Sequence, residues 1–297
     1  MKEQTKILEK QNNPSKSIKM ARTLMPILGK IAPNFSSKLF FKLFTTPIKV
    51  PLKPPHIDIL NQSTPFEYLI QDIWGYQEEV KIRGYEWNPK GKQKVLLVHG
   101  WNGKAADYYK LIPKLIESDF HVEAIDCKAH GASEGNRSSM PDFMESIKGY
   151  VENRGVPDIV IGHSLGATAS TFYLSESGLK IDKLVLLANP VIMMNAFSKG
   201  FDQVNLPDFA RNLVVESAEK MLNRKITDFD LQNVSLSNFN HVLELYVEND
   251  DEVSNNDTLL FLKAHPNVSA QLIENCGHNY IKRNKKAIEL IMEFLKK

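Results

Sequence analysis

Cysteine is nearly absent from this chain: Cys127 and Cys276 are the only two in 297 residues. Two thiols make no disulfide framework, and free thiols suit a reducing compartment. The eight histidines are scattered, so no metal-ligand cluster stands out. No uninterrupted apolar run reaches the roughly 18 residues of a membrane span. The first ten residues, MKEQTKILEK, are too charged for a signal peptide. These absences make a cytoplasmic protein the default expectation. The formal net charge is only +2, so whole-molecule charge gives no footing for nucleic-acid binding. Length alone leaves one or two domains open. A chain of this size buries enough surface to hold a core without staples.

Acid is also missing locally. Between Glu9 and Asp58 there is no carboxylate, yet Lys10, Lys16, Lys19, Arg22, Lys30, Lys38, Lys42, Lys49 and Lys53 fall there. Ile18, Ala21, Met25, Leu28 and Ala32 repeat at helical spacing, with Lys19, Arg22 and Lys30 on the other side of the wheel. Pro26 would kink such a helix or mark its first turn. A second helical pattern, FSSKLFFKLF, covers 35–44. Residues 1–57 therefore read as a basic amphipathic segment. Two readings make opposite demands on it. It lies on an anionic membrane as a weak peripheral contact, or its apolar face packs on the protein body. The bulk of Leu39, Phe40, Phe41, Leu43 and Phe44 favours packing from about Phe35 onward, with residues 1–15 loosely held. Pro47, Pro51, Pro54 and Pro55 suggest an extended connection.

From about residue 79 strand-like and helix-like runs alternate. The strand candidates are 79–87, 94–100, 121–127, 158–164, 183–189, 242–249 and 269–275. Several are short, continuous and β-branched, as strands buried on both faces should be. Helical patterns fall at 105–117, 139–153, 165–177, 256–264 and 282–296. Such alternation implies a mostly parallel sheet with helices on both faces, an α/β fold over residues 58–297. The interval 190–240 is longer than a crossover needs. Its two helical patterns suggest a small lid over the C-terminal edge of the sheet, where sites of α/β proteins lie.

Four strand ends carry the chemistry. In IVIGHSLGAT (159–168), Gly162-x-Ser164-x-Gly166 follows an apolar strand and opens a helix. A serine on that sharp turn stands clear of the sheet, and glycine is required where the turn crowds its neighbours. The Leu165 N–H then points outward from a helix N-terminus, where partial positive charge gathers. In LLVHGWNG (96–103) a strand ends in His99-Gly100, and the Trp101 N–H is a second donor toward the same place; His99 itself is expected to orient the loop. In AIDCKAHGASEG, Asp126, His130 and Ser133 are expected to shape a turn, because members of a catalytic triad come from different strand ends. In LYVENDDEV a strand runs into Asp250 and Asp251, either of which could orient a histidine. Gly277-His278 follows the last strand. The order Ser164, acid, His278 is the chain order of this architecture.

HGWNG, AHGASEG, GHSLG, the D-x-x-V spacing of Asp250 to Val253, and the Gly277-His278 pair resemble the α/β-hydrolase superfamily over about residues 79–297. The resemblance implies Asp250, rather than Asp251, as the acid. More narrowly, LLVHGWNG with AHGASEG and an extended N-terminal segment is similar to bacterial hydrolases known chiefly by their fold. The HGGG of hormone-sensitive-lipase-like esterases is missing. The activity expected is hydrolysis of a small-molecule carboxylic ester through an acyl-enzyme with Ser164, His278 and Asp250. The apolar residues of the lid, Val191, Ile192, Met193, Met194, Phe197 and Phe201, either suggest an apolar acyl part or form the core of the lid itself. The Trp101 and Leu165 N–H groups form the oxyanion hole, and neither metal nor organic cofactor is called for. Lipase, thioesterase and peptidase chemistry share this machinery. A non-catalytic binding protein on the same fold is the rival from another class.

Overall fold

The computed structural model describes residues 16–75 and 77–297. The expectation for residues 1–15 lies outside them. The chain divides into two compact units, one of Thr46–Val191 with Leu231–Lys297, the other of the residues up to Thr45 with Ile192–Asp230.

The first unit is built on eight strands: β1 Thr64–Gln71, β2 Glu79–Trp87, β3 Lys94–Val98, β4 His121–Asp126, β5 Ile159–His163, β6 Ile181–Leu187, β7 Phe239–Val247 and β8 Ser269–Ile273. They form one sheet in the order β1-β2-β4-β3-β5-β6-β7-β8. The pairs β1–β2 and β2–β4 are antiparallel and all the others parallel. Burial follows position. Central β5 (IVIGH) is buried at every residue, so its sequence is continuously apolar up to the elbow. Edge strand β1 alternates instead, burying Tyr68 and Ile70 and exposing Leu69 and Gln71. That strand is absent from the sequence-based reading; Pro65 and Glu67 weaken its pattern, and Pro is tolerated at an edge.

The helices flanking this sheet include Met140–Arg154, Leu165–Ser177, Asn255–Ala264 and Lys285–Leu295, close to their sequence-predicted spans. The predicted helix 105–117 is broken into a 3₁₀ turn at Ala105–Tyr108 and a short helix at Ile112–Glu117. Pro54 and Pro55 do not belong to an extended connection: they open a helix at Pro54–Leu60, occupying its first positions, where a missing N–H costs nothing.

The second unit is helical, with α1 Lys16–Ile31, α2 Pro33–Phe44, α3 Met193–Gln203 and α4 Asp208–Leu222. Its core joins the N-terminal segment to the insertion: Met25 and Phe40 are buried with Phe201, Leu206, Ala210 and Val214. The ring centroids of Phe40 and Phe201 lie 5.0 Å apart, and those of Phe44 and Phe197 5.1 Å apart. Aromatic pairs at this spacing add to the burial of their own surface. Pro26 sits inside α1, which continues to Ile31.

Candidate active site

Ser164 stands between β5 and the helix Leu165–Ser177 with φ 50° and ψ −128°, a backbone conformation costly for any residue with a side chain. Two neighbouring glycines make the turn possible. A Cβ at Gly162 would lie 2.4 Å from Ala167 Cα, and one at Gly166 would lie 2.1 Å from the His99 carbonyl oxygen. The strand thus turns into a helix with no room for a side chain two residues before or two residues after the serine. The Ser164 N–H donates to Leu187 O at 2.9 Å, fixing the elbow to β6.

His278 follows β8 and opens a 3₁₀ turn at His278–Arg283. Its Nε2 lies 3.0 Å from Ser164 Oγ, and its Nδ1 lies 2.8 Å from Asp250 Oδ2. Both the imidazole and the Asp250 carboxylate are buried, while Ser164 is partly exposed. Asp250 spends its other oxygen locally: Oδ1 accepts the N–H groups of Glu252 at 2.7 Å and Val253 at 2.9 Å. That turn explains the D-x-x-V spacing. The carboxylate is clamped by the amides two and three residues further on, which leaves Oδ2 aimed at the histidine. The exposed Asp251 side chain does not make this contact.

Two loops converge on the same place. A Cβ at Gly100 would meet Ser164 Cβ at 2.8 Å, so the strand end after β3 lies directly against the serine. The N–H groups of Trp101 and Leu165 make no hydrogen bond to any described residue, and that of Leu165 stands in the first turn of a helix, where N–H groups have no intrahelical partner. His99 orients this loop as expected: its Nε2 accepts the Cys127 N–H at 2.9 Å, and its Nδ1 lies 2.7 Å from Gly100 O. Burial lowers its pKa to about 3, so the ring is neutral. Asp126, His130 and Ser133 form a turn. Asp126 accepts the N–H groups of Ala105 at 2.7 Å and Ala132 at 2.8 Å, and burial pushes its carboxyl up to about 6.

The sequence reading missed Lys282. This buried lysine donates to His163 Nδ1 at 2.9 Å, and His163 Nε2 lies 3.0 Å from the His278 carbonyl. Burial and the nearby Lys282 charge hold the His163 pKa well below the usual range. The neutral ring therefore accepts at Nδ1 and donates at Nε2. Burial lowers the Lys282 pKa to about 8. The residue before the serine is thus tied to the main chain of the histidine by a buried lysine–imidazole bridge. A lone Lys in YIKR carries no spacing signal that could have revealed it.

A second cluster lies toward the other end of the strands. Register places Glu86 of β2 opposite Glu123 of β4, and these carboxylates with His121 come within 4.8 Å of one another. The Arg154 guanidinium bonds both, reaching Glu86 Oε1 at 2.7 Å, and Tyr150 donates to Glu123. Arg154 supplies the positive charge that this pair of acids requires.

Comparison with known proteins shows what the chain is similar to. The human serine hydrolase-like protein is 26% identical over 129 residues, which cover 41% of this chain and 60% of that one. The rat monoglyceride lipase is 26% identical over 184 residues, covering 59% and 55%. The chain thus spans less than two thirds of either relative. The solved structure of esterase Pf2001 from Pyrococcus furiosus superposes with a TM-score of 0.61 at 21% identity, over 84% of this chain and 96% of that one. That likeness establishes the fold. Residues 89–285, most of the length of the chain, match the serine aminopeptidase, S33 family, and the chain belongs to this family of α/β-hydrolases.

Proposed function

We propose that this protein is a serine hydrolase that cleaves carboxylic esters through an acyl-enzyme. The observation that carries the reading is the unbroken chain Asp250–His278–Ser164, at 2.8 and 3.0 Å, ending on a partly exposed hydroxyl in a strained turn. Asp250 holds the Nδ1–H tautomer of His278, which leaves Nε2 to accept the Ser164 proton. Ser164 Oγ attacks the ester carbonyl. The developing oxyanion is received by the Trp101 and Leu165 N–H groups, each typically worth about 3–4 kcal/mol of barrier. His278 then protonates the leaving alcohol. In the second half it takes a proton from water, which attacks the acyl-enzyme and releases the acid. No step calls on a metal or an organic cofactor. A cytoplasmic location belongs to the same reading.

An apolar acyl part is favoured by the monoglyceride lipases among the relatives. The apolar residues of the insertion argue less for it, because Phe201 is buried in the core of its own unit and Phe197 packs against that core. Peptide hydrolysis is the second reading, favoured by the aminopeptidase description of the family. p-Nitrophenyl esters of increasing acyl length, run beside aminoacyl nitroanilides, separate the two. Faster turnover of the esters, with an optimum above acetate, is expected. Turnover confined to the anilides would overturn the ester assignment.

A further inference from the structure

From Met20 to Ile31, packing uses one side of α1. Its inner face buries Met25, with Ala21 against the same core. On the other side Met20, Leu24, Ile27 and Ile31 recur at i, i+4, i+7 and i+11, which is one face of a helix. They are 62%, 46%, 55% and 73% exposed. The helix breaks at Ala32, and α2 then exposes a further large apolar residue near its start, Phe35, at 59%. Lys38 and Lys42, one and two turns further on, are exposed too, on the side of α2 away from buried Ser36, Ser37 and Phe40. Scattered exposed apolar residues are ordinary, but four large ones on one face of α1, followed by a fifth at the start of the next helix, mark a contact surface.

The charge carried by these two helices is of one sign. Residues 16–45 contain Lys16, Lys19, Arg22, Lys30, Lys38 and Lys42 and no carboxylate. Arg22 is directed inward, donating to Gln203 O at 2.8 Å. Lys30 is exposed and lies about a quarter turn from the apolar row. An apolar stripe bordered by lysines complements an anionic lipid surface, where the stripe enters the boundary between headgroups and acyl chains and the ammonium groups meet the headgroup charge. A second copy is a poorer occupant. A two-fold interface sets the same basic patch on both partners, so neither supplies the opposite charge. Among the described residues no helix is long and apolar enough to cross a membrane, so the contact is peripheral.

We propose that the outer face of α1 and α2 docks this protein on anionic bilayers, with Met20, Leu24, Ile27, Ile31 and Phe35 inserted and Lys30, Lys38 and Lys42 against the headgroups. The inference stands apart from the hydrolase reading. The test is flotation of the full chain with vesicles of phosphatidylcholine alone and of phosphatidylcholine with phosphatidylserine, at low and high salt. Binding to the anionic vesicles alone, released by salt, is expected. Leu24→Asp with Ile27→Asp should abolish it. Lys38→Gln with Lys42→Gln should weaken it about fivefold per lysine. Circular dichroism monitors folding, so the result does not depend on activity. If the aspartate variant unfolds, the lysine variant at its exposed positions carries the test, and unchanged partition there contradicts the proposal. Equal binding to neutral vesicles, or none to anionic ones, overturns it. So does a dimer by light scattering that the aspartate variant dissociates, which would make a second copy the occupant.

Discussion

Two clusters of buried charge on the same sheet are finished differently. In one, Glu123 is fully buried opposite Glu86, and like charges directly opposite each other destabilise a sheet. Arg154 Nη2 and Nε, Tyr150 and His121 answer those carboxylates, and Lys94 lies 3.9 Å from Glu123. Arg154 further rests on the Phe66 ring, 4.5 Å from its centroid. In the other, Asp250 and His278 are as fully bonded, but the chain ends on Ser164 Oγ, partly exposed and beside two N–H groups without partners. Both clusters are costly to bury. Among the described residues the first is saturated and holds structure, whereas the second leaves a hydroxyl partly exposed and two N–H groups unspent, as the proposed reaction requires. What is left unsatisfied, more than how many ionisable groups gather, separates a site from a strut.

The largest test of this contrast is Asp250→Asn. An amide at that position no longer holds the Nδ1–H tautomer, and kcat should fall by about 10³–10⁴ with the fold intact. Asp251→Asn should stay near wild type. Steady-state kinetics on a soluble p-nitrophenyl ester check both, and a loss at Asp251 instead would reverse the choice between neighbours.

Arg154→Ala should do the opposite. It leaves Glu86 and Glu123 facing each other, and urea unfolding should show a loss of roughly 2–3 kcal/mol, less than for fully buried pairs because Arg154 is partly exposed. Turnover per folded molecule should be unchanged. A fall in kcat without a fall in stability would erase the distinction between the two clusters.

Much of the site was legible because strand-end turns leave little freedom. Gly162 and Gly166 are required by contacts of 2.4 and 2.1 Å, and the turn after Asp250 is held by a carboxylate that accepts the amides of Glu252 and Val253. Local geometry writes itself into local sequence. What failed to show depends on register or on long-range packing. The facing of Glu86 and Glu123 needs the β2–β4 alignment, and Lys282 meets His163 across 119 residues. Edge strand β1 and the helix at Pro54–Leu60 were missed for a related reason: proline reads as a breaker unless one knows it falls at an edge or in a first turn.

A smaller effect belongs to Lys282, which joins the reactive end to the packed interior. Lys282→Met should cost about tenfold in kcat by loosening the His163–His278 contact, with KM little changed. It also predicts a pH signature. The folded pKa, about 8, lies below the ordinary 10.5. Between these values the unfolded chain carries a proton that the folded chain has lost, so the stability contributed by this group rises with pH across that window and is lost as pH falls through about 8. Unfolding midpoints of wild type should therefore gain on those of Lys282→Met between pH 8 and 10.5. Parallel curves would remove Lys282 from the account.

The central claim is that Ser164 is a reactive nucleophile, and fluorophosphonate labelling of the intact protein tests it most directly. The account predicts one adduct, mapped by peptide mass spectrometry to Ser164, absent in Ser164→Ala and slowed in Asp250→Asn. A folded protein that takes no label, or one labelled on another serine, would contradict it.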